Sequence, residues 1–338
     1  MLRIEQIIRD VFPQKKVVII GDLVADQYLS GTIDRVSREA PVFILRHDQT
    51  VTLPGAAANA AANVASLGGR SVVIGIAGTD QNGERLLNEL NASGVDTSFV
   101  LTDSDINTTT KVRILAGQKH AVRQQVIRVD YENSAPISAE LRRSMVHNML
   151  AATVDADALI VSDYNYGVAD ATLFHEARMI AERRKIPIMV DSRFRLSEFT
   201  GATSATPNQE EVEQILGKGF TAADCESLRA SSAFQALLVT NGSKGMLLVE
   251  SGREPLQIDA VGSPEAVDVT GAGDTVIAVY SMGLACGMSF ADAAKIANHA
   301  GGLVVMKKGT ATITADELVG SLNAYRSPEI AKEAFPKN

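Results

Sequence analysis

Cysteine is nearly absent. The 338-residue chain carries two, Cys225 and Cys286, far apart and without Cys-x-x-Cys or Cys/His spacing. That excludes a disulfide framework, argues against structural zinc and points to a reducing compartment; both read as core thiols. Basic charge is scarce as well. With 32 Lys and Arg against 40 Asp and Glu the net charge is −8, so there is no global positive field for nucleic acid or an anionic membrane surface. An anionic small molecule would have to be met by local Arg and Lys. No stretch approaches the roughly 18 to 20 uninterrupted apolar residues of a membrane span. The N-terminus, "MLRIEQIIRDVFPQKK", breaks its apolar positions with charge, unlike a signal peptide, and a cytoplasmic protein is expected. Internal repeats, low-complexity tracts and Pro/Gly-rich linkers are missing too.

What is present is a large apolar complement, 46% of residues against 21% charged, enough for one sizeable core. Short apolar runs bounded by turn residues recur: "VVIIGD" (17–22), "SVVIGIAG" (71–78), "ALIVSDY" (158–164), "IPIMVDS" (186–192) and "ALLVTNG" (236–242). Such runs read as buried parallel strands. Helical patterns lie between them, among them "AAANAAANVASLGG", "NGERLLNELNASG", "DATLFHEARMIAERRK" and "NQEEVEQILGKG". The alternation predicts a doubly wound, mostly parallel α/β sheet flanked by helices. Residues 27–53 and 107–130 break the rhythm with β-branched residues and apolar/polar alternation, as half-exposed antiparallel strands do. They predict a small inserted β-sheet, a lid that covers either a cleft or the same sheet of a second copy. One domain over 1–325 with this lid is expected, followed by a loosely held tail, 326–338.

"DVTGAGDT" (268–275) precedes the apolar run "VIAVYSMGLACGM". Gly271, Ala272 and Gly273 at the start of a helix running to about Gly287 leave backbone N–H groups pointing into open space, where the helix dipole adds partial positive charge. Asp274 sets a carboxylate beside that anion hole. The pair suits phosphoryl transfer: the N–H groups neutralise the moving phosphoryl while the carboxylate takes the proton of the attacking hydroxyl. A capped helix terminus is the plainer alternative. A dinucleotide fingerprint fits less well, because Val276 stands at its third glycine and the motif lies near the C-terminal end. No GxxxxGK[ST] occurs, and the protein-kinase signatures are missing.

"DVTGAGDT" resembles the C-terminal signature of the PfkB (ribokinase-like) carbohydrate kinases, and "LPGAAANAAANVASLGG" (53–69) is similar to their N-terminal one. The resemblance covers roughly residues 16–325, with both motifs in the expected order and spacing. It implies a doubly wound α/β domain with a β-lid, commonly dimeric through that lid, and an ATP- and Mg²⁺-dependent reaction. It also implies that Asp274 is the catalytic base and that Gly271, Ala272 and Gly273 form the anion hole.

Other stations follow on the same resemblance. Asn208 and Glu211, at i and i+3 in a helix's first turn, read by themselves as an N-terminal capping pattern; in PfkB-like kinases such a pair organises the waters of Mg²⁺. "VTNGSKGMLL" (239–248) reads as a hairpin, and the family's equivalent turn lines the nucleotide pocket, implicating Thr240, Gly242 and Lys244 in ATP binding. Asn298, in "KIANHAGGLVVMKKGT" (295–310), is implied beside the adenine. Oxygen groups around Asp268, Thr270 and the Lys307–Gly309 turn match the monovalent-cation (K⁺) site of some relatives.

On the sugar side, Asp22 and Asp26 in "GDLVADQY" lie just after the first strand, where open α/β sheets bind ligands; they hydrogen-bond sugar hydroxyls or serve as turn and cap. Gly55 and Asn59 match the signature positions that approach the sugar. Ala56 stands where the family has glycine; if the position needs positive φ, alanine costs about 1 kcal/mol.

"GTIDRVSREAPVFIL" (31–45) carries Arg35, Ser37, Glu39 and Pro41. It resembles the "RxSxEAPV" stretch of heptose-7-phosphate kinases, the kinase half of a bifunctional kinase/adenylyltransferase, and "SDYNYG" (162–167) and "DSRFRLSEFTGATSATPN" (191–208) continue the likeness. This implies transfer to the C1 hydroxyl of D-glycero-D-manno-heptose 7-phosphate in lipopolysaccharide-core synthesis. Tyr166 departs from the lysine of "SDYxKG", and Ser192-Arg193 from "DPK". Arg193 and Arg195 could grip a phosphate in place of lysine or be surface charges. The chain ends before any adenylyltransferase domain, which on this resemblance puts that activity elsewhere. Another PfkB kinase, of ribose, fructose or fructose-phosphate type, is the alternative, and a silent sugar-binding relative a third reading, disfavoured by the intact base.

Overall fold

The strand Lys16–Gly21 is buried at every position, and its side chains alternate between two cores. Val17 and Ile19 enter one apolar cluster, Val18 and Ile20 the other. Ala236 and Leu238 oppose Leu237 and Val239 in the same way. A strand sandwiched between helical layers has no solvent face, which is why these runs are apolar throughout; each such side chain contributes about 1.5–3 kcal/mol of burial.

The computed structural model describes residues 3–118, 123–133, 136–263 and 265–326; the expected loose tail falls almost wholly outside them. In chain order the strands are β1 (Lys16–Gly21), β2 (Leu23–Val36), β3 (Phe43–Ala56), β4 (Arg70–Ile74), β5 (Ile76–Gly78), β6 (Leu101–Asp103), β7 (Thr110–Gly117), β8 (Gln124–Tyr131), β9 (Ala158–Asp163), β10 (Ile188–Ser192), β11 (Ser204–Ala205), β12 (Ala236–Thr240), β13 (Met246–Glu250) and β14 (Leu256–Ile258). The main sheet runs β14-β13-β12-β11-β10-β9-β1-β4. It is parallel from β4 to β12 and antiparallel from β12 to β14. Strand order departs in both directions from β1, so the switch point beside its carboxyl end is where a ligand crevice opens.

The helices Ala57–Ser66, Ala272–Ala285 and Phe290–Val304 contribute to one core, and Ala139–Ala152, Ala171–Arg184 and Ala222–Ser231 to the other. Cys225 is buried in the second core, whereas Cys286 is only half-buried, and both are free thiols. The expected strand 71–78 is split at Gly75: β4 stays in the main sheet while β5 turns away to pair with β6.

The inserted sheet is real but differs from expectation in direction and extent. Its order is β3-β2-β7-β8, and β2 pairs with β7 in parallel; only the outer pairs are antiparallel. Alternation reports a half-exposed strand and carries no information about its partner's direction. Both roots reach deeper than 27 and 53, because β2 begins two residues after β1 ends and β3 runs straight into the helix Ala57–Ser66.

Ala56 is the hinge residue of that second root, with φ 55 and ψ −131 in a buried position. A side chain there is strained, so Ala56→Gly is expected to raise the unfolding free energy by about 1 kcal/mol, relief of strain exceeding the added entropy of the unfolded chain. Urea melts would show this as a higher midpoint; a lower one would mean that the alanine methyl's packing outweighs the strain.

Candidate active site

The parallel strands end on a polar cavity of about 460 Å³, lined from their carboxyl ends by Tyr164, Asp191, Arg193, Thr206 and Thr240. The lid closes the opposite wall with Asp26, Lys111, Arg113 and Arg128, and the 269–274 turn forms the rim between them. Thr240, Val269, Ala272 and Gly273 also line a second, apolar cavity of about 190 Å³. A polar chamber and an apolar slot therefore meet across the GAG turn.

That turn is built by close packing. Gly271 has φ 76, and a Cβ there would stand 2.4 Å from Asn59 Nδ2, so only glycine fits. Ala272 N–H already donates to the Val269 carbonyl at 3.2 Å. Among the described residues it is instead the N–H groups of Gly271, Gly273 and Asp274 that have no acceptor. They form a donor cluster at the start of the helix Ala272–Ala285, where the dipole favours an anion.

Asp274 is buried. Asn59 Nδ2 donates to its Oδ2 at 2.8 Å and the Tyr164 hydroxyl to its Oδ1 at 2.9 Å. Asn59 is held in turn by Asn63, whose Nδ2 donates to Asn59 Oδ1 at 3.1 Å. Burial pushes the Asp274 carboxyl up to about 7 against these two hydrogen bonds, which is the range a base working at neutral pH needs. Asp191, across the chamber, is raised well above the ordinary carboxylate range by burial and by the charges of Glu211, Asp274 and Asp163. Glu211 is pushed up to about 7, also by burial.

Asn208 and Glu211 form a capping box, Asn208 Oδ1 accepting from Glu211 N–H at 2.9 Å and a Glu211 oxygen from Asn208 N–H at 2.8 Å. Both still line the chamber, so capping and a place in the site coexist. Thr240 lines both cavities, while Gly242 and Asn298 line the slot, where Asn298 Nδ2 donates to the Asp259 carbonyl at 2.7 Å. Lys244 does not line either cavity; it is exposed on the turn after β12, with Ser243 and Gly245 facing the slot instead. Asp268 accepts from Thr270 N–H and Gly309 N–H, which holds its carboxyl below the usual range despite partial burial.

Three sugar-side expectations are revised by the geometry. Asp22 is the turn partner of its two readings: its carboxylate accepts from the N–H groups of Tyr164, Tyr166 and Val168 at 2.8, 3.0 and 3.0 Å, so it shapes the loop after β9. Arg195 is likewise spent, on the Asp163 carboxylate and the Ala169 carbonyl, while Arg193 lines the chamber. Gly55 acts indirectly, since a Cβ there would lie 2.6 Å from Asp26 Oδ2. Asp26 faces the chamber, paired with Arg113.

Sequence reasoning missed Tyr164, Asp191 and the lid cations Lys111, Arg113 and Arg128. The spacing of Lys111 and Arg113 at i, i+2 was the available signal, because it sets both on one face of a strand.

A proton-accepting carboxylate beside free N–H donors at a helix start, between a polar chamber and an apolar slot, defines a phosphoryl-transfer site. The chain belongs to the pfkB family of carbohydrate kinases, whose family model matches residues 14–317. It is 37% identical over 321 residues to the bifunctional protein HldE of Geobacter metallireducens and 38% identical over 313 to that of Pseudomonas aeruginosa strain LESB58. These alignments cover 93% and 91% of the chain but 64% and 63% of the relatives, so the chain spans less than two thirds of their length. Among solved structures it is similar to phosphofructokinase-2 of Escherichia coli in complex with substrates and products (TM-score 0.76, 19% identity, 93% and 100% of the two chains). A second is Arabidopsis thaliana ribokinase complexed with ribose and ATP (TM-score 0.68, 20% identity, 91% and 98%). These confirm the ribokinase-like fold. The family implies ATP and a divalent metal. No described helix is long and apolar enough to cross a membrane.

Proposed function

We propose that this chain transfers the γ-phosphoryl of ATP to the C1 hydroxyl of D-glycero-D-manno-heptose 7-phosphate, a cytoplasmic step toward ADP-heptose for lipopolysaccharide core. The observation that supports a phosphorylated acceptor is a pair of uncommitted cations in the chamber: of Lys111, Arg113, Arg128 and Arg193, which line it among several carboxylates, Lys111 and Arg193 make no ion pair among the described residues. The resemblance of residues 31–45 to the heptose-7-phosphate kinases, together with the similarity to bifunctional protein HldE, supports the heptose.

In this reading the acceptor hydroxyl lies against Asp274, which takes its proton as the oxygen attacks the γ-phosphorus and the bond to ADP breaks. The N–H groups of Gly271, Gly273 and Asp274 neutralise charge on the transferred group. The apolar slot, with Asn298 at its edge, suits adenine. Asp191 and Glu211 fit Mg²⁺: they face the chamber, and among the described residues no cation lies within ion-pair distance of either. No group of three acidic, His or Cys side chains among the described residues would hold a metal alone, so Mg²⁺ would need phosphate oxygens as well. It would supply charge neutralisation of the phosphates. Among the described residues the buried Thr310 hydroxyl has no hydrogen-bond partner, beside the Asp268 carboxylate that accepts from Thr270 and Gly309 N–H, which supports a K⁺ nearby. Exposed Ile127, Val129 and Tyr131 on the lid support a homodimer through it.

ADP release across D-glycero-D-manno-heptose 7-phosphate, sedoheptulose 7-phosphate, fructose 6-phosphate, fructose 1-phosphate, ribose and fructose tests the assignment. The expected result is a kcat/KM for the manno-heptose phosphate at least about 100-fold above the neutral sugars. Preference for ribose or fructose would replace the substrate and keep the kinase.

A further inference from the structure

Four cations face the chamber; Arg193 makes no ion pair among the described residues but stands on the sheet side, where its charge acts on Asp191 and Glu211, and the three on the lid are not equivalent. Arg113 is paired with Asp26, and Arg128 Nε lies 2.9 Å from Asp130 Oδ1. Lys111 is buried, yet among the described residues its Nζ makes no ion pair and no hydrogen bond. It is held instead between two aromatic faces, 5.4 Å from the centroid of the Tyr164 ring and 5.5 Å from that of Tyr166. Ring quadrupoles stabilise an ammonium without neutralising it, so the charge stays available to a ligand. A buried charge is costly, and burial lowers the Lys111 pKa although the charges of Asp26 and Asp130 offset it in part; an incoming anion would relieve the remaining cost.

Lys111 sits on the lid beside Asp26, its cross-strand neighbour, and no lid residue lines the apolar slot. The cation therefore serves the acceptor's end of the site. We infer that Lys111, caged by Tyr164 and Tyr166, is the residue that reads a phosphate on the acceptor sugar, with Tyr166 setting specificity as one wall of the cage. Tyr166 is fixed for that task by its hydroxyl, which donates to Glu132 Oε1 at 3.1 Å. Tyr164 joins the phosphate reader to the base, because the ring that holds Lys111 carries the hydroxyl bonded to Asp274. The inference rests on the phosphosugar reading above.

The test compares kcat/KM for D-glycero-D-manno-heptose 7-phosphate, sedoheptulose 7-phosphate and fructose 6-phosphate with that for each sugar lacking its phosphate. The readout is the phosphorylated-to-unphosphorylated ratio, which a general loss of folded enzyme leaves unmoved. Lys111→Met should lower the ratio at least about tenfold, mainly through KM, and Lys111→Arg should restore part of it. Tyr166→Leu, which keeps the lysine and removes one wall, should lower it about threefold or more. A folded Lys111→Met enzyme with the wild-type ratio overturns the inference. Should that variant fail to fold, an unchanged ratio in folded Tyr166→Leu overturns it equally. Wild-type enzyme with no preference for phosphorylated sugars removes the phosphosugar reading itself, and the inference with it, before any variant is made.

Discussion

Asp274→Asn is expected to lower kcat by about 1,000-fold or more while the protein stays folded and binds ATP. The magnitude follows from removing general-base catalysis in a site whose N–H donors remain, so turnover should stay above the uncatalysed rate. The fold should tolerate the change, because the Tyr164 hydroxyl that now donates to Oδ1 at 2.9 Å can rotate and accept from an amide instead. Asn59 keeps an oxygen to donate to. Steady-state kinetics with saturating acceptor, together with a nucleotide-binding titration, would check it; a kcat within tenfold of wild type would move the base elsewhere.

The second large effect is on pH. With the Asp274 carboxyl raised to about 7, the base is ionised above that value and protonated below it. kcat should therefore fall about tenfold per unit on the acid side, roughly 100-fold by pH 5. The groups facing Asp274 pull in opposite directions, Asp26 raising its pKa and Lys111, Asn59 and Tyr164 lowering it. Tyr164→Phe removes one hydrogen bond to the charged form, so the acid limb should move up by about one unit, lowering kcat at pH 7 and sparing the alkaline plateau. A limb that stays in place would show that another group, Glu211 being the nearest in value, controls it. The stability effect has the opposite sign. A folded-state pKa above the aspartate's ordinary 3.8 means that the folded form binds the proton more tightly, so Asp274 disfavours folding increasingly as pH rises from about 4 to about 7.

The strands and their order of burial were legible because a strand covered on both faces must be apolar at every position, as β1 and β9 are. β11 was not, since two residues carry no period. In the site, Asp274, Gly271, Gly273 and Asn59 could be found from their motifs. Lys111 and Arg113 carried only the weak signal of their i, i+2 spacing, and Arg128 none: charges alternating along a lid strand look like a solvated face until another layer covers them. Arg193 and Arg195 look alike in sequence, yet one turn of the chain sends the first to the chamber and the second to Asp163. Asp22 was left open by the sequence because a carboxylate at a strand end binds ligand or backbone equally well, and here three N–H groups stand nearer.

Asp274 takes its two partners from far along the chain, Asn59 at a separation of 215 residues and Tyr164 at 110, and the lid pair Asp26–Arg113 spans 87. Contacts of such range form late, because loop-closure entropy is paid before they reward it. During synthesis the lid strands and β9 emerge long before the helix Ala272–Ala285. The lid cation Lys111 and the rest of the chamber are therefore translated well before the carboxylate that faces them, and the chamber is complete only once that helix docks against Asn59.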